Sequence, residues 1–256
     1  MLTKLFIPAT RPELVSRSRL IEQLDHGIHN KLTLISAPAG FGKTTLVTDW
    51  LQSQGDDASS PFLVAWQSLD EGDNDVVRFL TYLISALNRL PGLEPEIGVG
   101  ALQMLQASQP PPPETILIAL INELALAALK IVLILDDYHL IDSQPVHDSL
   151  NFLIENLPPQ LHLVIATRED PPIQISRLRA RGQLTELRAV DLRFTSEETA
   201  KFLNQVMGLN LSAADIDALG TRTEGWIAGL QLAAISMQGL EDTARFINTF
   251  TGSNRM

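Results

Sequence analysis

The 256-residue sequence contains no cysteine, which excludes disulfides and thiolate metal sites and fits a cytoplasmic protein. It also lacks an excess of basic residues. The net charge of −11 and pI near 4.8 disfavour nonspecific binding of the whole chain to nucleic acid or anionic membrane. The opening stretch, MLTKLFIPATRPEL, has no sustained apolar core and is not expected to be a signal peptide. No internal repeat is visible. A charge-free membrane span is missing as well. Ile116 to Leu135 imitates one, but Asn122 and Glu123 sit near its centre and Lys130 divides it. A central charge costs roughly 2.5–3.5 kcal/mol on insertion, so two buried elements are expected instead, a helix to about Leu129 and then a strand.

What is present is organised around Leu32 to Leu46. A β-rich apolar run, Leu32 to Ile35, breaks at Ser36 to Gly42 and resumes as helix-compatible sequence at Lys43. The segment Ala37, Pro38, Ala39, Gly40, Phe41, Gly42, Lys43, Thr44 fits the phosphate-binding Walker A pattern, with Ala in place of the first Gly. Gly40 and Gly42 let the backbone curl so that successive N–H groups face phosphate oxygens, and the following helix adds its positive end. Lys43 brings an ammonium to the β- and γ-phosphates, and the Thr44 hydroxyl can ligate Mg²⁺. These residues, with Thr45, predict a bound nucleotide.

Along the chain, apolar spacing predicts a helix within Leu14 to Leu24, a helix from Lys43 to Gln54 and a strand from Phe62 to Gln67. A helix follows from Asp75 until Pro91 and Gly92. Residues 91–113 read as loop-rich, and Pro110 to Pro113 read as a stiff connector before a helix. Strand Ile131 to Leu135, helix Val146 to Asn156, strand His162 to Thr167, a short Arg-rich segment and strand Gln183 to Arg188 come next. This alternation predicts an α/β fold, a parallel sheet with helices on both faces. After residue 190 no strand signal appears. Thr195 to Glu198 and Ser212 to Asp215 read as helix-start capping boxes, and a third helical pattern runs from about Trp226 to Met237. The expected organisation is an N-terminal segment and helix at 1–30, a nucleotide-binding domain at 31–190 and a helical lid at 191–256.

Asp136 and Asp137 end an apolar strand, in the Walker B arrangement. There the first acid holds Mg²⁺ and the second orients the attacking water. The intervening strand at 62–67 implies a sheet in which this strand does not follow the phosphate-loop strand directly in sequence, as in ATPases that use such an acid. Arg168 ends the fourth strand, where a guanidinium can sense the γ-phosphate. Arg177, Arg179 and Arg181 either act on a neighbouring subunit's nucleotide or pair with local acids such as Glu169 and Asp170, and pairing is favoured. His139 has no second His or Cys at ligand spacing and reads as a hydrogen-bonded structural residue.

Several stretches together carry a resemblance: Leu34 to Thr45, Ser68 to Glu71 with Asp73 to Asp75, Leu133 to Leu140, Arg177 to Gly182, and Arg222 to Leu232. From Thr3 to about Arg255 the chain resembles the nucleotide-binding module of the large ATP-binding LuxR-type transcriptional regulators, the maltose-regulon-activator-like group of the STAND P-loop ATPases. The resemblance implies an AAA+/STAND-like P-loop NTPase fold with an all-α lid. It also implies a switch that rests with ADP, exchanges it for ATP, hydrolyses slowly and self-assembles. Arg17 stands where that family has a nucleotide-proximal arginine, after Ser16 rather than Gly. Gly225-Trp226-Ile227 stands where related ATPases have Gly-x-Pro near the adenine. Such regulators bind DNA through a C-terminal helix-turn-helix that residues 1–256 do not contain, so no direct DNA binding is expected of this chain. The alternative is an assembly scaffold that binds nucleotide without useful turnover. A small-molecule kinase is argued against by the paired acids, the extra strand and the helical lid.

Overall fold

The computed structural model describes residues 2–10, 13–55, 61–91, 96–240 and 243–250. Gly92 and the chain after Phe250 lie outside them. Among the described residues five parallel strands form one sheet: β1 (Leu32–Ser36), β2 (Phe62–Ser68), β3 (Lys130–Asp136), β4 (Leu161–Thr167) and β5 (Leu184–Arg188). Their order is β2-β3-β4-β1-β5, so β4 lies between the acid-bearing strand β3 and the phosphate-loop strand β1. Leu32 pairs with Leu163 and Leu184, and Ile131 with Leu161 and Leu63.

The strands are near-continuous apolar runs because helices cover both faces. In β3, Ile131, Leu133 and Leu135 point into one core and Val132 and Ile134 into the other, following the two-residue period of a strand. The first core is closed by α3 (Val76–Asn88), α4 (Val99–Leu105), α5 (Pro113–Leu124) and α6 (Gln144–Glu155). The second is closed by α1 (Ser18–Gly27) and α2 (Lys43–Ser53), through Leu20, Leu24, Leu46, Val47 and Trp50. The parallel sheet and its two helical layers therefore follow from the sequence pattern.

Two stretches differ from the reading of the sequence. Residues 91–113 hold α4, a two-turn helix whose Ala101 and Leu105 are buried. Only tertiary packing stabilises so short a helix. The Arg-rich segment after β4 contains another short helix, α7 (Ile175–Ala180), with Ile175 and Leu178 turned inward. The apolar run at 116–135 divides into α5, a turn and β3, and no described helix is long and apolar enough to cross a membrane.

After β5 the described residues are helical: α8 (Ala189–Leu192), α9 (Ser196–Ala200) continuing as a π-helix over Lys201–Val206, α10 (Ala213–Thr223), α11 (Ile227–Met237) and α12 (Thr243–Thr249). From α9 onward they share a third core that includes Leu203, Leu219, Leu230 and Ala233, whereas Leu192 of α8 packs into the second. The Thr195 capping box forms in both directions: Glu198 N donates to Thr195 Oγ1 and Thr195 N to Glu198 Oε2. Arg19 ties this bundle to α1, donating to Asp191 O, to Arg193 O and to the Glu198 carboxylate.

Candidate nucleotide site

At the carboxyl ends of the parallel strands the β1–α2 loop, the end of β3 and the end of β4 face the first turn of α11, around a cavity of about 290 Å³. This is where an open parallel sheet presents its ligand crevice. Gly40 and Gly42 both adopt left-handed backbone, at φ +79° and +71°, which glycine alone adopts without strain. Gly40 is tight for a second reason. A Cβ there would stand 2.5 Å from the Ala228 Cβ and 2.8 Å from the Trp226 indole nitrogen. The loop and α11 are in direct contact, since Ala228 N donates to Gly40 O and Trp226 Nε1 to Ala39 O, each at 3.1 Å.

Of the residues expected at the site, Ala39, Gly40, Gly42, Lys43, Thr44, Thr45, Asp137 and Arg168 line this one cavity. The Lys43 ammonium lies along the loop, donating to Ala37 O at 2.7 Å and Pro38 O at 3.1 Å. Burial, followed by the Arg168 charge, draws its pKa down, while Asp137 and Asp136 act in the opposite sense. The Ala37 and Phe41 side chains are packed into the core beneath the loop, so these two shape the backbone and do not present side chains to the cavity.

Thr44 Oγ1 lies 2.9 Å and 3.1 Å from the two carboxylate oxygens of Asp136. Two hard oxygen donors brought together from α2 and β3 suit a magnesium ion. Burial and the neighbouring Asp137 charge raise the Asp136 pKa to about 6, against the Thr44 hydrogen bond and the Lys43 charge. Asp137 turns the chain with left-handed backbone, φ 58° and ψ 38°. Asp tolerates that region better than most residues, and the turn leaves the side chain half-exposed in the cavity. Arg168 is exposed and lines the same cavity.

Beside this polar cavity a second one of about 350 Å³ is lined mainly by apolar groups. Leu14 and Val15 come from the segment before α1, Phe194, Phe202, Val206 and Met207 from the helical region, and Ile227 and Gln231 from α11. Gly42, Thr45, Ile227 and Gln231 border both cavities, so the two are adjoining compartments. Arg17 stands in the wall of the second. It is buried, donating to Gly42 O at 3.1 Å and Leu192 O at 3.3 Å, and burial lowers its pKa to about 10. One compartment is lined by the glycine loop, Lys43, Thr44, Asp137 and Arg168; the other is mainly apolar. Together they match the two halves of a nucleotide.

Sequence reasoning reached the loop, the acids and both arginines. It missed Gln231 and the apolar residues of the π-helix, because their membership depends on how the helical region folds back over the loop. The cluster before β5 is locally paired: Arg177 with Glu155 and Arg179 with Glu186. Pairing with local acids is as expected, but the acids are Glu155 and Glu186 rather than Glu169 and Asp170, and Asp170 pairs with Arg188. His139 departs from expectation. Its ring is buried, yet neither nitrogen has a hydrogen-bond partner among the described residues. A bare buried polar group costs about 1–3 kcal/mol.

No protein-family model matches the chain. It is 34% identical over 242 residues to the serine/threonine-protein kinase PknK of Mycobacterium tuberculosis, covering 94% of this chain and 21% of that protein. It is 33% identical over 253 residues to the HTH-type transcriptional regulator MalT of Klebsiella pneumoniae, covering 98% of this chain and 27% of that one. The chain thus spans about a quarter of the length of these relatives. Among solved structures, a Walker-type ATPase of Pyrococcus abyssi superposes with a TM-score of 0.57 at 14% identity, over 97% of this chain and 74% of that one. The chain therefore has the P-loop NTPase fold and is homologous, over nearly its whole length, to one segment of the MalT-type regulators that PknK shares.

Proposed function

We propose that this chain is an ATP/ADP-binding switch module with slow ATP hydrolysis, part of a LuxR-type regulator of the STAND class. The observation that carries the reading is the convergence of Lys43, Thr44, Asp137 and Arg168 on one cavity, with an apolar compartment adjoining it across Gly42 and Thr45. The loop N–H groups and the α2 N-terminus bind the phosphates, and Lys43 leaves its loop carbonyls for the β- and γ-oxygens. The base lies against Leu14, Val15 and Phe194, beside Arg17. Thr44 and Asp136 hold Mg²⁺, which supplies neutralising charge to the phosphate oxygens when bound. Asp137 orients the attacking water and Arg168 reads the γ-phosphate.

The contacts from Trp226 and Ala228 to the loop give the switch its lever. Phosphates on the loop N–H groups bear on the same peptides whose carbonyls hold Trp226 and Ala228, so the helical region reports their arrival. Nucleotide-dependent self-association in the cytoplasm is part of the reading. DNA is reached through a further domain of the regulator, not through this acidic chain. Two measurements test it. Denaturing the purified protein and identifying released nucleotide should yield ADP or ATP, and the protein should hydrolyse ATP slowly with Mg²⁺. A protein that neither carries nor binds adenine nucleotide refutes the reading, and one that binds without turnover supports the scaffold instead.

A further inference from the structure

His139 lies on the single 3-10 turn Tyr138–Leu140 that follows the acid pair. The turn is pinned on both sides. The Tyr138 hydroxyl lies 2.8 Å from His147 Nδ1 in the core. Asn74 Nδ2 donates to Leu140 O at 3.0 Å, and Asn74 Oδ1 accepts from Asp142 N at 2.7 Å and Ser143 N at 2.9 Å. The imidazole is thereby carried to one place, with 9% of the side chain exposed. There it feels the charges of Arg168, Asp137 and Lys43, which line the phosphate cavity, and of Glu169.

Buried imidazoles are almost always hydrogen-bonded, and this one has no hydrogen-bond partner among the described residues. Its Nδ1 stands 3.8 Å from Asp137 Oδ1, about 1 Å beyond a hydrogen bond. The fold keeps an unpaired ring beside an acid whose carboxylate projects half-exposed into the cavity from a left-handed backbone position. Burial and the Arg168 cation hold the ring neutral, leaving it one N–H to give. Hydrogen bonds of this kind are often long without substrate and tighten in the reactive complex.

We propose that His139 is a positioning residue for ATP hydrolysis: its Nδ1–H closes onto the Asp137 carboxylate and fixes the orientation in which that acid aligns the attacking water. This rests on the reading of Asp137 given above. His139 itself touches neither water nor phosphate, and its ring does not border the cavity.

The test uses the full chain with His139→Asn, His139→Gln and His139→Leu. The amide nitrogen of Asn can occupy the place of Nδ1, whereas that of Gln reaches toward the place of Nε2. Affinity for a fluorescent ATP analogue and single-turnover hydrolysis are measured on each. Leu and Gln should lower the hydrolysis rate about tenfold or more with affinity within about twofold, and Asn should stay within about threefold of the native rate. Combining His139→Leu with Asp137→Asn should cost no more than the worse single change, because both act on one group. Native hydrolysis in the Leu variant, equal rescue by Gln and Asn, or losses that multiply in the double variant each overturn the proposal. If the Leu variant fails to fold, the Asn-against-Gln comparison decides. A native protein without hydrolysis refutes the ATPase reading and this proposal together, whereas native turnover with an unaffected Leu variant refutes only the role of His139.

Discussion

His162 gives the sharpest physical prediction, because its burial and both its bonds are defined. It lies in β4 without solvent contact, its Nδ1 2.8 Å from Asn30 O and its Nε2 3.1 Å from Thr33 Oγ1. A carbonyl only accepts, so Nδ1 carries the proton and Nε2 accepts from the Thr33 hydroxyl. Thr33 belongs to β1, which ends in the phosphate loop, so this bond helps to set the strand that presents the site. Burial pulls the ring's pKa from 6.5 down to about 4. Between those values an unfolded chain takes up a proton that the folded protein refuses. The stabilisation is therefore complete above about pH 6.5, falls as pH drops, and is gone below about pH 4. The full difference is about 3 kcal/mol, and about 2 kcal/mol of it is lost by pH 5. Urea unfolding, followed by the fluorescence of Trp50 and Trp66 in the core, measures it at pH 7 and pH 5. His162→Asn keeps a donor for Asn30 O but does not titrate. It should be less stable than the native protein at pH 7, and that gap should shrink by about 2 kcal/mol at pH 5. A gap of equal size at both pH values refutes the argument, since the ring would then be titrating alike in both states.

Four further perturbations probe the site itself. Lys43→Ala removes a charge-assisted contact to phosphate and should weaken ATP binding about tenfold or more, roughly 1.4 kcal/mol, in a titration with a fluorescent analogue. Asp137→Asn should bind ATP with Mg²⁺ as well as the native protein and hydrolyse it at least about tenfold more slowly, and with ATP it should elute as larger species in size-exclusion chromatography. Asp136→Asn should weaken the Mg²⁺-dependent part of binding, seen as a smaller gain in affinity when the metal is added. Gly40→Ala places a methyl 2.5 Å from the Ala228 Cβ at φ +79°. It should destabilise the protein by about 1–3 kcal/mol, read as a lower urea midpoint, and change the fluorescence of Trp226.

The division between sequence and structure follows the range of the interactions. The strand–loop–helix of Leu32 to Ser53, the acid pair after Leu135 and the cap at Thr195 are each written within one short continuous stretch of sequence. Their determinants are local: strand alternation, glycines free to take positive φ, and side chains that bond backbone three residues away. The parallel sheet was legible for the same reason, since strands buried on both faces read as unbroken apolar runs. Element ends and the weakest helices were not. The seven residues of α4 are too few to carry a helical signal of their own.

The site divides along the same line. Sequence named the residues that line the cavity at the glycine loop because the loop makes its own geometry. It did not show that Trp226 and Ala228 would close on Ala39 and Gly40 across nearly the whole chain, or that a π-helix at 201–206 would help wall the apolar compartment. It also read His139 as an ordinary partnered histidine. Whether a buried ring finds a partner depends on which side chains fold around it. That is settled by the packing of β3, β4 and the 138–140 turn, and no local pattern encodes it.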